Sequence, residues 1–113
     1  MTELKDKKCV PCEGGVAPLT KEEVKNKLDA IPEWKTDASG HQLIERNFNF
    51  KNYYQTMAFV NAIAWLAHQE NHHPDLEVSY NHCRVRYSTH AIGGLSENDF
   101  ICAAKVDTLL RQS

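Results

Sequence analysis

The residues best suited to chemistry in this chain are Asn71-His72-His73-Pro74, with a further histidine, His90, beyond two strand-like segments. An imidazole titrates near ~6.5 and can give or take a proton at neutral pH, so a convergent set points to general acid–base work. His68 stands four residues ahead of His72. On one helical face the two would also suit a metal such as zinc, with His73 or His90 as a third ligand. The local order His68-Gln69-Glu70-Asn71-His72 puts the glutamate two places after the first histidine instead of one, so no metalloprotease motif results. His41 and His82 fall in predicted turns and read as solvated.

Those imidazoles need elements to hold them. Thr20-Lys21-Glu22-Glu23 is a capping box that predicts a helix over 21–30 with Val24, Leu28 and Ile31 inward, stopped by Pro32. Residues 34–37 read as extended, Ala38-Ser39-Gly40 as a turn, and 42–48 as an alternating strand, giving a hairpin with one buried face. A long helix is predicted over 52–70, with Tyr53, Met57, Val60, Ala64 and Ala67 on one stripe and Phe59, Ile63 and Leu66 on another. Pro74 pushes the residue before it out of helical conformation, which places His72 and His73 at a rim. Leu76, Val78 and Tyr80 alternate, Asn81-His82 turns, and Cys83, Val85, Tyr87 and Thr89 alternate with Arg84, Arg86, Ser88 and His90. Ser96-Glu97-Asn98-Asp99 is a second capping box opening a last helix with Phe100, Ala103, Ala104, Val106 and Leu110. The order α-β-β-α-β-β-α predicts an α+β fold, a four-stranded antiparallel sheet packed on helices.

At 113 residues, 42% hydrophobic, the chain fits a single domain over 19–113 behind a mobile arm over 1–18. A core this small, with a helix apolar over a wide arc, predicts a homodimer or homotetramer. A net charge of −2 supplies no basic field for nucleic acid, and no apolar run of about 18 residues predicts a membrane span. With no secretory leader in the first twenty residues, the expected compartment is the cytoplasm. Cys9, Cys12, Cys83 and Cys102 are too few and scattered for a disulfide framework. Cys9-Val-Pro-Cys12 lacks the second pair that zinc requires and the strand-to-helix setting of a redox motif, and reads as part of an inert arm.

His68, His72, His73, Pro74, Tyr80, His90 and Asp99 together resemble the signature of the pterin-4a-carbinolamine dehydratase family. Phe48-Asn49-Phe50, Ser88-Thr89-His90 and Gly94-Leu95-Ser96 resemble its flanking phrases. The resemblance implies a hydro-lyase that removes water from a 4a-hydroxytetrahydropterin to give quinonoid dihydropterin. It implies no cofactor and no metal, and a functional link to an aromatic amino acid hydroxylase whose pterin is recycled. Carried over by position, His72 and His90 are the acid and base, in either order, and His73 orients the pterin. Asp99 either caps its helix or holds a neighbouring imidazole as well. Backbone groups of Thr89, His90, Ala91 and Ile92 meet the pterin's polar edge, with His68 and Pro74 also at the substrate. His68 stands where the family often has an acid, and Asn98 where animal members carry arginine. Animal members also bind a transcription factor, so a non-catalytic interaction module is the rival; it has no chemical use for His72, His73 and His90 together.

Overall fold

The computed structural model describes residues 3–10 and 17–111. In chain order the elements are α1 (Lys21–Leu28), β1 (Lys35–Thr36), β2 (Ile44–Asn49), α2 (Tyr53–Glu70), β3 (Asp75–Val78), β4 (His82–Tyr87) and α3 (Glu97–Thr108). Short 3-10 turns occupy Leu4–Asp6, His90–Ile92 and Leu109–Arg111. The four strands form one antiparallel sheet in the order β1-β2-β4-β3. This is the α+β architecture that the periodicity predicts.

Alternation divides the sheet into two unlike faces. Ile44, Phe48, Cys83, Val85 and Tyr87 are buried in the core with Phe59 and Ile63 of α2 and Phe100 and Val106 of α3. The intervening residues carry charge: Arg86 Nε meets Glu45 at 2.9 Å and Arg84 Nη1 meets Glu77 at 3.0 Å. Trp34 packs edge-on to Phe48 (6.2 Å), and its Nε1 donates to Asp107 (2.9 Å), which also receives Arg46 Nη1 at 2.8 Å. One carboxylate on α3 thereby satisfies a buried indole and a half-buried guanidinium.

Several boundaries differ from the sequence expectation, each for a local reason. The first helix closes at Leu28, because Ala30 and Ile31 donate to carbonyls three residues back (3.1 and 3.0 Å) and tighten the end ahead of Pro32. β2 begins at Ile44 because Asp37 draws the Gln42 and Leu43 N–H groups (2.9 and 3.3 Å) into the turn. Burial alone would raise the Asp37 carboxyl. These bonds, with those from Ser39 and Thr36, outweigh it and hold Asp37 far below the usual carboxylate range. The second hairpin reverses at Tyr80-Asn81, with Ser79 N–H donating to the His82 carbonyl (2.9 Å), so β3 ends at Val78 and Tyr80 is exposed. His82 opens β4 half-buried against the Ser79 hydroxyl, and half-buried His41 has its Nδ1 3.0 Å from the Ser39 carbonyl; neither is simply solvated.

The two stripes of α2 have different fates. Phe59 and Ile63 are buried together with Thr56, whose hydroxyl donates to the Asn52 and Tyr80 carbonyls, while Tyr53 and Ala64 are exposed. Residues ahead of the domain also make specific contacts where they are described. Leu4 and Cys9 pack on the core, Lys7 Nζ reaches Glu97 (3.1 Å), and the Lys5 carbonyl accepts from Lys105 Nζ (2.9 Å). Cys12 lies outside the described residues.

Candidate active site

The site is made where α2 ends. Asn71 adopts a left-handed conformation (φ 51°, ψ 41°), which asparagine tolerates better than most residues. Its N–H donates to the His68 carbonyl (3.4 Å) and that of His72 to the Ala67 carbonyl (3.2 Å). This pair of bonds is a Schellman closure, and it ends the helix before the proline can. It also takes His72 out of the helical register, so His68 and His72 do not share the helix face that a metal pair would use.

Released from the helix, the His72 ring stacks on Tyr87 of β4 at 5.8 Å and 7°. Its Nε2 lies 2.6 Å from Asp99 Oδ1 at the start of α3. The Asp99 carboxylate is fully buried; Oδ2 accepts from the Thr89 hydroxyl (2.7 Å) and the Ser96 N–H (3.0 Å). The Thr89 and Ser96 hydroxyls are themselves 2.8 Å apart. Asp99 thus caps α3 and holds His72 with separate oxygens, in a position where the helix N-terminus also favours negative charge. Burial pushes the Tyr87 phenol far up, with Cys102, Cys9 and Asp99 adding to it, so the ring beneath His72 stays neutral.

An open cavity of about 460 Å³ adjoins this network, a volume in the range of small-molecule sites. Of the residues expected from sequence, His72, His73, Thr89, His90 and Ala91 line it. Asp99 stands behind the wall, touching His72. His68, Pro74 and Ile92 do not line it; His68 is exposed, its ring against Trp65 at 5.4 Å. His72 is not at an exposed rim, since only 13% of its side chain is accessible, whereas His73 and His90 are exposed. His90 belongs to the 3-10 turn after β4 rather than to a strand end.

Sequence reasoning missed part of the wall. Gln69, Glu70 and Asn71 from the end of α2 line the cavity, as do Ser88, Asn98 and, from the N-terminal segment, Cys9 and Val10. Glu70 is 6% exposed and accepts from the Cys9 N–H at 2.9 Å. Asn98 meets Val10 twice, accepting its N–H on Oδ1 (3.1 Å) and donating Nδ2 to its carbonyl (2.6 Å). The capping frame around Asn98 was readable, but its partner 88 residues away in sequence was not.

Three imidazoles, His72, His73 and His90, thus line one cavity on an α+β scaffold, the first of them braced by a buried carboxylate. The family model for pterin 4 alpha carbinolamine dehydratase matches residues 17–109. A protein of Nitrosomonas eutropha that carries the pterin-4-alpha-carbinolamine dehydratase name is 65% identical over 109 residues, 96% of this chain and 94% of its own. The crystal structure of a transcriptional coactivator/pterin dehydratase from Brucella melitensis superposes with a TM-score of 0.75 at 31% identity, covering 81% of this chain and 97% of that one. A pterin dehydratase-like protein described as a RuBisCO assembly factor in the alpha-carboxysome gives 0.55 at 26% identity, over 65% of this chain and 89% of that one. The chain belongs to the pterin-4a-carbinolamine dehydratase family, and is a hydro-lyase.

Proposed function

We propose that this hydro-lyase dehydrates a 4a-hydroxytetrahydropterin by imidazole acid–base catalysis, with His72 as base and His90 as acid. The observation that carries the division of roles is the contact between His72 Nε2 and Asp99. A neutral imidazole that donates Nε2–H to a buried carboxylate has its lone pair on Nδ1, and the imidazolium it becomes on taking a proton is stabilised by that same carboxylate. His72 therefore accepts the N5 proton of the pterin. His90, exposed on its 3-10 turn, exchanges protons readily with water and delivers one to the departing 4a-hydroxyl, so that water leaves instead of hydroxide. His73 orients the ring.

Part of the backbone after β4 is already engaged within the protein. The Thr89 N–H donates to the Gly94 carbonyl (2.8 Å), the Thr89 carbonyl accepts from Ile92 (3.2 Å), and the Thr89 hydroxyl is taken by Asp99. The His90 and Ala91 N–H groups, at the orphan start of the 3-10 turn, are the donors assigned to the pterin's carbonyl edge. The product feeds the reductive recycling of a pterin used by an aromatic amino acid hydroxylase, in the cytoplasm.

The test is a coupled assay in which a hydroxylase generates the 4a-carbinolamine and its decay is followed by ultraviolet absorbance. Wild type accelerates decay; His72→Ala and His90→Ala each lose about 10²-fold in turnover, within the range for one proton-transfer group. Acceleration that survives both substitutions overturns the assignment. Self-association belongs to the same reading, because Tyr54 (82%) and Trp65 (62%) stand exposed on the outer side of α2. Sedimentation should give a dimer or tetramer that Trp65→Glu shifts toward monomer, and a monomer at all concentrations refutes it.

A further inference from the structure

Cys9 and Cys102 stand 93 positions apart in sequence and bring their Sγ atoms to 3.4 Å. Cys9 is half-buried and lines the cavity, so a small reagent reaches it; Cys102 is fully buried on α3. The same short segment is held by Glu70 at the Cys9 N–H and by the paired amide of Asn98 at Val10. The proximity therefore rests on a docked segment of backbone. Neither sulfur has a part in the acid–base chemistry.

We propose that Cys9 and Cys102 form a reversible dithiol–disulfide site whose oxidation fastens residues 3–10 to α3 as a fixed wall of the imidazole cavity. An S–S bond is about 2.05 Å long, so the sulfurs need to close by little more than an ångström. The oxidant is a low-molecular-weight disulfide, R–S–S–R. Cys9 loses its proton and attacks one sulfur of R–S–S–R; the Cys9 S–SR bond forms as the S–S bond of the reagent breaks, and the first RS⁻ leaves and takes up a proton. Cys102 then loses its proton and attacks the Cys9 sulfur, expelling the second RS⁻, which is protonated in turn. Two protein thiols are oxidised by two electrons and one disulfide is reduced to two thiols.

The order of attack follows from the surroundings. The hydrogen bond with Cys9 and then burial hold the Cys102 thiol far above its ordinary range, so Cys102 is the poor first nucleophile. Once Cys9 carries the adduct, that leading restraint on Cys102 is gone. Cys83, buried in β4 and raised by burial, takes no part.

The experiment treats full-length protein with oxidised glutathione or with dithiothreitol, alkylates the remaining thiols under denaturing conditions, and maps the peptides by mass. The expected result is a Cys9–Cys102 cross-link in wild type and equally in Cys12→Ser, with Cys83 alkylated throughout. The oxidised form should resist proteolysis within residues 3–10 and unfold on the order of 10 °C higher. A Cys9–Cys12 link in wild type with none in Cys12→Ser overturns the proposal, as does a stable glutathione adduct on Cys9. A Cys9–Cys102 link that leaves the segment as protease-sensitive as before removes the wall-fixing role. Activity adds a consequence that rests on the pterin reading: with the wall ordered in advance, KM should fall about 2–5-fold at unchanged kcat. Peptide mapping is independent of that reading, so the two fail separately.

Discussion

Two imidazoles face one cavity in this protein under opposite constraints. His72 is stacked on Tyr87, bonded to a buried carboxylate and mostly enclosed; His90 rides on a three-residue 3-10 turn, exposed to solvent. A braced ring has one tautomer and one orientation, set by residues that do not line the cavity. An exposed ring is set by water and by whatever enters the cavity. The scaffold removes the freedom of one imidazole and leaves it to the other, and the proposed division into base and acid rests on that contrast.

The sharpest way to break this comparison is at Asp99. Asp99→Asn should cost about 10²-fold in kcat, since the amide can donate to His72 Nε2 and so favour the wrong tautomer. The loss should not add to that of His72→Ala in the double variant, because the two act as one unit, whereas it should compound with His90→Ala. Full additivity with both would remove the distinction. A smaller effect is expected at Thr89. Thr89→Val deletes one of the bonds to Asp99 and leaves a buried carboxylate short of a donor; about 1–2 kcal/mol of stability should be lost in chemical denaturation, with kcat reduced several-fold.

Capping chemistry and alternation made much of this fold legible. Thr20 with Glu23 and Ser96 with Asp99 announce their helices within four residues, and the β4 pattern separates core from charge without further help, whereas β2 sets Arg46 on the core face between Ile44 and Phe48. Local rules fail where a distant partner decides. Both stripes of α2 look equally apolar in sequence, and only tertiary packing selects Phe59 and Ile63 over Tyr53 and Ala64. The histidines were readable as a set, yet the enclosure of His72 required knowing that Asn71 would go left-handed before Pro74 could act. Cys9 was legible only as half of Cys9-Val-Pro-Cys12, and neither it nor Val10 read as cavity wall, because a docked segment without helix or strand periodicity reads as a loose arm.

The smallest expected effect lies away from the cavity and serves as its control. Asp37 has a folded pKa below its unfolded one, so its contribution is present above the unfolded value near ~3.9 and is lost as pH falls toward the folded value. Asp37→Ala should destabilise by about 1 kcal/mol at neutral pH, by less as acid is approached, and leave kcat unaltered. A pH-independent penalty would show that the turn, rather than the charge, is what Asp37 supports.

The left-handed closure at Asn71 makes α2 a ruler. Removing or adding one residue anywhere along its 18 positions would advance the closure by about 1.5 Å and rotate it by about 100°, swinging the His72 ring off Asp99 and Tyr87. Substitutions at exposed positions of that helix are cheap for this geometry, since they leave the closure where it is. Changes in its length are not. The residue count of α2 is therefore fixed by a ring the helix does not contain, whatever covers its outer face.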